Sequence, residues 1–168
     1  SLGARSINHS IDANLQLFAD NDIQLIWQTG KLYTEQAKKR VDEVGKKGIS
    51  SLDFIADMDL AYAVADVVIS RAGALAVSEL CLVKKPAILV PLPSAAEDHQ
   101  TKNAMSLVSY NAAILVKDSE AKEHLVQDPI ALVNDQEQME KLARNIEKLA
   151  FANATETIVS EVMKLINK

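Results

Sequence analysis

Residues 66–79, Asp-Val-Val-Ile-Ser-Arg-Ala-Gly-Ala-Leu-Ala-Val-Ser-Glu, constrain this chain more than any other stretch. Val67-Val68-Ile69 is a β-branched run of the kind that forms a short buried strand. Ser70-Arg71-Ala72-Gly73 reads as a turn, and a nearly apolar helix is predicted over 74–83. Glu79 is its one charged residue. A carboxylate on such a helix is costly to bury without a hydrogen-bond donor. Helical side chains lean toward the N-terminus, so Glu79 is expected to reach back toward the Gly73 turn. That turn offers unpaired N–H groups and the positive end of a helix dipole, a combination suited to phosphate. A nucleotide would use both features, its phosphates on the turn and its ribose hydroxyls on Glu79.

The same strand–turn–helix alternation runs through most of the chain. An apolar stripe of Ile7, Ile11, Leu15 and Phe18 predicts one helix over 4–19. A strand is expected at 23–27, a charged helix at 32–44 stopped by Gly45 and Gly48, a weak strand at 51–55 and a short helix at 57–65. Ala87-Ile88-Leu89-Val90 forms a further buried strand, ended by Pro91 and Pro93. A helix near 99–109 and a last strand at 113–116 follow. Helices are then expected at 120–127, 136–150 and 155–166. Strands alternating with helices imply an α/β domain, a doubly wound parallel sheet with helices on both faces. Ligands of such sheets sit beyond the carboxyl ends of the strands. Gln28-Thr29-Gly30, Ser70–Gly73 and the loop 91–100 should therefore share one edge.

With 168 residues, 48% hydrophobic and 24% charged, the chain has the material for one domain with a sizeable core. Its net charge of −5 argues against nucleic acid as the main partner. No apolar run reaches membrane-spanning length. Cys81 stands alone in the apolar helix, which excludes a disulfide framework, fits a reducing cytoplasmic setting and makes it an inert core thiol. No Cys/His grouping has metal-ligand spacing. Lys38-Lys39-Arg40 and Lys46-Lys47 read as solvated faces. His9 and His124 read as surface residues, and Trp27 as a core residue at a strand end.

Six motifs then occur in order: Ser1-Leu2-Gly3-Ala4-Arg5, Trp27-Gln28-Thr29-Gly30, Phe54-Ile55-Ala56-Asp57-Met58, Ser70-Arg71-Ala72-Gly73-Ala74-Leu75, Ser78-Glu79, and Asp98-His99-Gln100 with Asn103-Ala104. Together they resemble the C-terminal half of the MurG family of bacterial glycosyltransferases, closely over residues 1–116 and more loosely beyond. The resemblance implies the C-terminal Rossmann-like domain of a GT-B enzyme, begun one strand late, its first strand missing. It also implies an N-terminal acceptor domain, not contained in this chain, that holds the lipid acceptor and most of the contact with the inner face of the cell membrane. The implied reaction is inverting transfer of N-acetylglucosamine from UDP-GlcNAc to undecaprenyl-pyrophosphoryl-MurNAc-pentapeptide (lipid I to lipid II). No cofactor or protein-bound metal is expected, and a fragment without the acceptor half is not expected to turn over.

Carried over residue by residue, Ser1 falls near the donor phosphates and the Ile55 backbone beside the uracil edge. Gly73, Ala74, Leu75, Ala76, Val77, Ser78 and Glu79 match the helix start under diphosphate and ribose, with Glu79 on the ribose diol. Gln100 matches the reader of the sugar hydroxyls. Ala76 departs from the family, where many relatives carry Thr, so one hydroxyl contact to phosphate is lost or replaced. No catalytic residue is implied within the chain. Arg71 is placed either to neutralise the diphosphate or to serve the fold. His99 is a candidate base set against its simpler reading as a first-turn residue. Two other functions fit the residues less well: a UDP-sugar-binding module of a split lipid-linked glycosyltransferase, and a UDP-GlcNAc 2-epimerase-like enzyme. A flavodoxin-like signalling domain would have no use for Glu79 and Gln100 together.

Overall fold

The computed structural model describes residues 4–93 and 96–166. Helices α1 (Arg5–Ala13) and α2 (Leu15–Asp20) replace the single helix expected at 4–19. The break falls at Asn14, whose backbone leaves the helical region (φ −121°, ψ 17°) while its side-chain amide donates to the Ser10 carbonyl. An amide that back-bonds in this way competes with the helix ladder. Strand β1 (Leu25–Gln28) begins two residues later than expected, after a left-handed Asp22. Helix α3 (Thr34–Val44) ends on Gly45 in the left-handed conformation, the form glycine adopts without a Cβ penalty.

Strand β2 (Ile49–Leu52), helix α4 (Met58–Val64), strand β3 (Val68–Ser70) and helix α5 (Ala74–Val83) follow. After them come β4 (Ala87–Leu89), a 3-10 turn (Ala96–Asp98), α6 (His99–Val108) and β5 (Ile114–Leu115). The helix expected at 120–127 is instead a 3-10 turn (Asp118–Glu120) leading into α7 (Ala121–His124) and then α8 (Gln127–Val133). Pro129 lies in the first turn of α8, where its missing N–H breaks no helical bond. Helices α9 (Gln136–Glu147) and α10 (Ala154–Ile166) complete the chain.

All strand pairs are parallel, but they form two groups, β1–β2 and β3–β4–β5. Alternation along β4 sends Ile88 and Val90 to one face and Ala87 and Leu89 to the other. The first face packs on α1, α2, α3, α7 and α8 through Ile7, Leu15, Phe18, Trp27, Leu125 and Leu132. The second packs on α5 and α6 through Leu80, Cys81, Ala104 and Leu107. The three-stranded group is thus covered on both sides, as expected. The β1–β2 pair is covered on the Trp27 and Ile49 side, whereas Ile26 and Leu52 on the other side remain exposed.

Helix α1 ties the two groups together. Asn8 is buried and donates to the Thr29 carbonyl at 2.8 Å, while the Trp27 indole N–H donates to Asn8 Oδ1 at 3.0 Å. Two residues earlier, Ser6 meets Arg71 at 2.8 Å, just beyond β3, and also Asp118, beyond β5. No helix among the described residues is long and apolar enough to cross a membrane. Helix α10 is exposed along its whole length, including Ile158, Val162, Leu165 and Ile166 of its expected apolar stripe.

Candidate functional site

Parallel pairing sets Gln28 beside Leu52 and Ser70 beside Leu89, so the segments after these strands emerge along one edge of each group. At that edge β3 hands over to α5 through Arg71-Ala72-Gly73. Gly73 is the N-cap residue, with φ −65° and ψ 148°, and no side chain caps the helix. That backbone is open to any residue, and a Cβ added at Gly73 would meet nothing within 4 Å. Neither dihedral nor crowding among the described residues demands glycine there. What remains is its preference as an N-cap residue and the room it leaves for something approaching from outside. Ala74 and Leu75 are exposed on the first turn, Ala76 is half-buried, and Ser78 is exposed. Val77 turns into the core and gives its N–H to the Gly73 carbonyl.

Glu79 is exposed rather than buried, so its carboxylate stays hydrated while Val77, Leu80 and Cys81 of the same helix pack into the core. Its Oε2 accepts from the Tyr62 hydroxyl of α4 at 3.1 Å. Tyr62 is half-buried, and burial together with the adjacent carboxylate pushes its phenol up to about 12, so it remains a donor at neutral pH.

The Ile55 N–H donates to Gln28 Oε1 at 3.0 Å, which fastens the loop after β2 to the end of β1. The Gly30 N–H, two residues further along, donates to the Asp53 carbonyl (3.1 Å) and holds the same loop. On the other group, Asn103 of α6 donates to the Ala72 carbonyl at 3.0 Å, so the start of α6 lies against the turn that opens α5. Gln100, one turn earlier on α6, is half-buried and accepts the Leu92 N–H on Oε1 at 3.0 Å. Its amide nitrogen is then the end available to an outside acceptor. Glu97 and Asp98, both non-glycine, adopt left-handed backbone (φ 50° and 56°) immediately before these residues. Strained backbone of this kind collects at functional loops.

Arg71 is hydrogen-bonded into the fold. Its guanidinium donates to the carbonyls of Val90 (3.1 Å) and Pro91 (3.3 Å), to Ser6 and to Asp118. Burial raises the Asp118 carboxyl, but hydrogen bonds from Ser6 and Arg71 and the charge of Arg71 outweigh that and hold it below the ordinary value of 3.8. His99 is exposed and faces Glu97 at 3.6 Å, with no reacting group beside it among the described residues. Ser1 lies outside the described residues. Cys81 is buried, and that burial pushes its thiol up, as expected of an inert core cysteine.

A polar cluster between α1 and α3 was missed by sequence reasoning. Asp12 accepts from Tyr33, from Gln36 at 2.6 Å and from Arg40 at 2.9 Å, beside a cavity of about 320 Å³. Arg40, read as part of a solvated run, is thus turned inward. Its signal was helical spacing, since Tyr33, Gln36 and Arg40 follow one another at i, i+3 and i+7 on one face.

Residues 1–159 match the model of the glycosyltransferase family 28 C-terminal domain. The chain is 48% identical over its whole length to the UDP-N-acetylglucosamine–N-acetylmuramyl-(pentapeptide) pyrophosphoryl-undecaprenol N-acetylglucosamine transferase of Parabacteroides distasonis, covering 46% of that protein. It is 52% identical to the transferase of the same name from Cytophaga hutchinsonii over 99% of the chain and 44% of the relative. The crystal structure of Acinetobacter baumannii MurG superimposes with a TM-score of 0.83 at 30% identity, over 96% of this chain and 47% of that one. The chain therefore spans a little under half the length of the relatives it matches.

Proposed function

This chain belongs to the glycosyltransferase family 28 C-terminal domain, and from that membership we propose that it is the donor-binding half of an enzyme that moves N-acetylglucosamine from UDP-GlcNAc to an undecaprenyl-pyrophosphoryl-MurNAc-pentapeptide acceptor. The observation that carries this reading is Gly73: a glycine with an ordinary backbone, open space where a Cβ would stand, and an uncapped helix N-terminus behind it. A diphosphate seated there is met by first-turn amides of Ala74, Leu75 and Ala76 and by the helix dipole. Glu79, on the same helix, takes the ribose diol. The backbone of Ile55 takes the uracil edge, and the Gln100 amide takes hydroxyls of the sugar. Ser1 contributes near the phosphates.

An inverting transfer needs a base on the acceptor hydroxyl and stabilisation of the departing diphosphate. The residues named here supply the second of these: preorganised amides aimed at negative charge that grows as the glycosidic bond breaks. The base and the lipid acceptor belong to the acceptor half of the whole protein, which would work peripherally on the inner face of the membrane. No metal or cofactor enters this scheme.

Calorimetric titration of the chain with UDP-GlcNAc and UDP tests the reading. Measurable, saturable binding is expected, with most of the affinity retained by UDP. Absence of heat and of NMR shift changes at millimolar ligand would reject it.

A further inference from the structure

We propose that Tyr62 is a positioning residue for nucleotide recognition: its hydroxyl pins one oxygen of the Glu79 carboxylate so that the other is presented to a vicinal diol. The inference rests on the reading above in which Glu79 meets the ribose.

Glu79 is exposed on α5, and a free glutamate there would sample several rotamers. Freezing such a side chain on binding costs entropy that a preorganised partner avoids. Tyr62 supplies that partner from a different element. Its ring packs against the core around α5 and α6, which fixes the phenol, and its hydroxyl donates to Oε2 at 3.1 Å. No second hydrogen bond to Glu79 forms among the described residues, so Oε1 keeps its full acceptor capacity. A tyrosine hydroxyl has a single proton, so donating to Oε2 also fixes which oxygen is occupied. The two oxygens of a carboxylate and the two hydroxyls of a cis-diol would otherwise pair in several arrangements. With Oε2 held, the diol is read chiefly through Oε1 and the outer lone pair of Oε2. The pin also joins α4, which follows the Ile55 loop, to α5, which begins at Gly73. The proposed base-facing and phosphate-facing segments are thereby held in fixed relation.

The test compares four forms of the full chain: wild type, Tyr62→Phe, Glu79→Gln and the double variant. Each is titrated with UDP, 2′-deoxy-UDP and inorganic pyrophosphate. Phe keeps the ring packing, and unchanged thermal unfolding verifies that. Wild type is expected to favour UDP over 2′-deoxy-UDP. In Tyr62→Phe that preference should shrink by about 3- to 10-fold, the scale of one ordinary hydrogen bond, with pyrophosphate affinity unchanged. The double variant should be no worse than Glu79→Gln alone, because the two residues act as one unit. A Tyr62→Phe protein that keeps the full preference overturns the proposal while the ribose reading stands. A wild type indifferent to the 2′-hydroxyl overturns the ribose reading itself, and the Tyr62 proposal with it.

Discussion

Arg71 and Asp118, 47 positions apart in the chain, form a part-buried ion pair that the Ser6 hydroxyl touches on both sides. Three elements converge there: the end of β3, the end of β5 and the first turn of α1. Replacing one partner leaves the other charge desolvated and unmatched, which costs more than the pair contributes. Asp118→Asn should destabilise the chain by about 2 kcal/mol, read as a shift in the urea unfolding midpoint at neutral pH. A midpoint equal to wild type would show that the pair is dispensable.

The same carboxyl gives a pH dependence with a definite sign. Asp118 and Asp12 are both held below 3.8 in the folded chain. For Asp12 burial acts upward, and the hydrogen bonds of Tyr33, Gln36 and Arg40 with the charge of Arg40 prevail. A depressed folded value means that the unfolded chain takes up protons first as pH falls. Their contribution is complete above about 3.8 and is lost as pH drops through the lower folded values. Urea titrations between pH 7 and pH 2.5 should show the loss, and Asp118→Asn should flatten part of it.

Gly73→Ala separates the roles of fold and ligand at the head of α5. The site accepts a Cβ without a clash, and the dihedrals suit alanine. Stability should stay within about 1 kcal/mol of wild type, since lost N-cap preference and reduced unfolded-state entropy oppose each other. Binding of UDP and pyrophosphate should both fall by at least about tenfold, the consequence of a methyl group where phosphate oxygens approach the backbone. Unchanged affinity would place the diphosphate elsewhere.

Glu79→Ala should do the opposite across ligands. UDP should weaken by about 2 kcal/mol, as expected for loss of charge-assisted hydrogen bonds, while pyrophosphate should be unaffected or bind slightly better. Equal losses for the two ligands would remove Glu79 from the ribose.

Much of this was legible in the residues themselves. Val67-Val68-Ile69, the Gly73 turn and the apolar run after it located β3 and α5, and α5 occupies the span expected. Gly45 likewise marked the end of α3. Tertiary context decided the rest. Nothing local to Arg71 names Asp118 as its partner, because the two meet only when β3 and β5 stand in register with β4. Tyr62 carries no motif, and its meeting with Glu79 depends on how α4 crosses onto α5. The helix expected over 4–19 divided at Asn14 because a side-chain hydrogen bond outweighed an unbroken apolar stripe. Pro129 reads as a breaker in a linear scan yet lies where a helix tolerates proline.

The division of the strands has a consequence for cooperativity. No ladder hydrogen bond among the described residues runs from β1–β2 to β3–β4–β5. Communication between the two depends on α1 and on side-chain packing. Amide protons of Leu25–Gln28 and Ile49–Leu52 should accordingly exchange with deuterium through small openings that leave the three-stranded group closed. The molecule would then behave as two coupled thermodynamic blocks sharing one clasp.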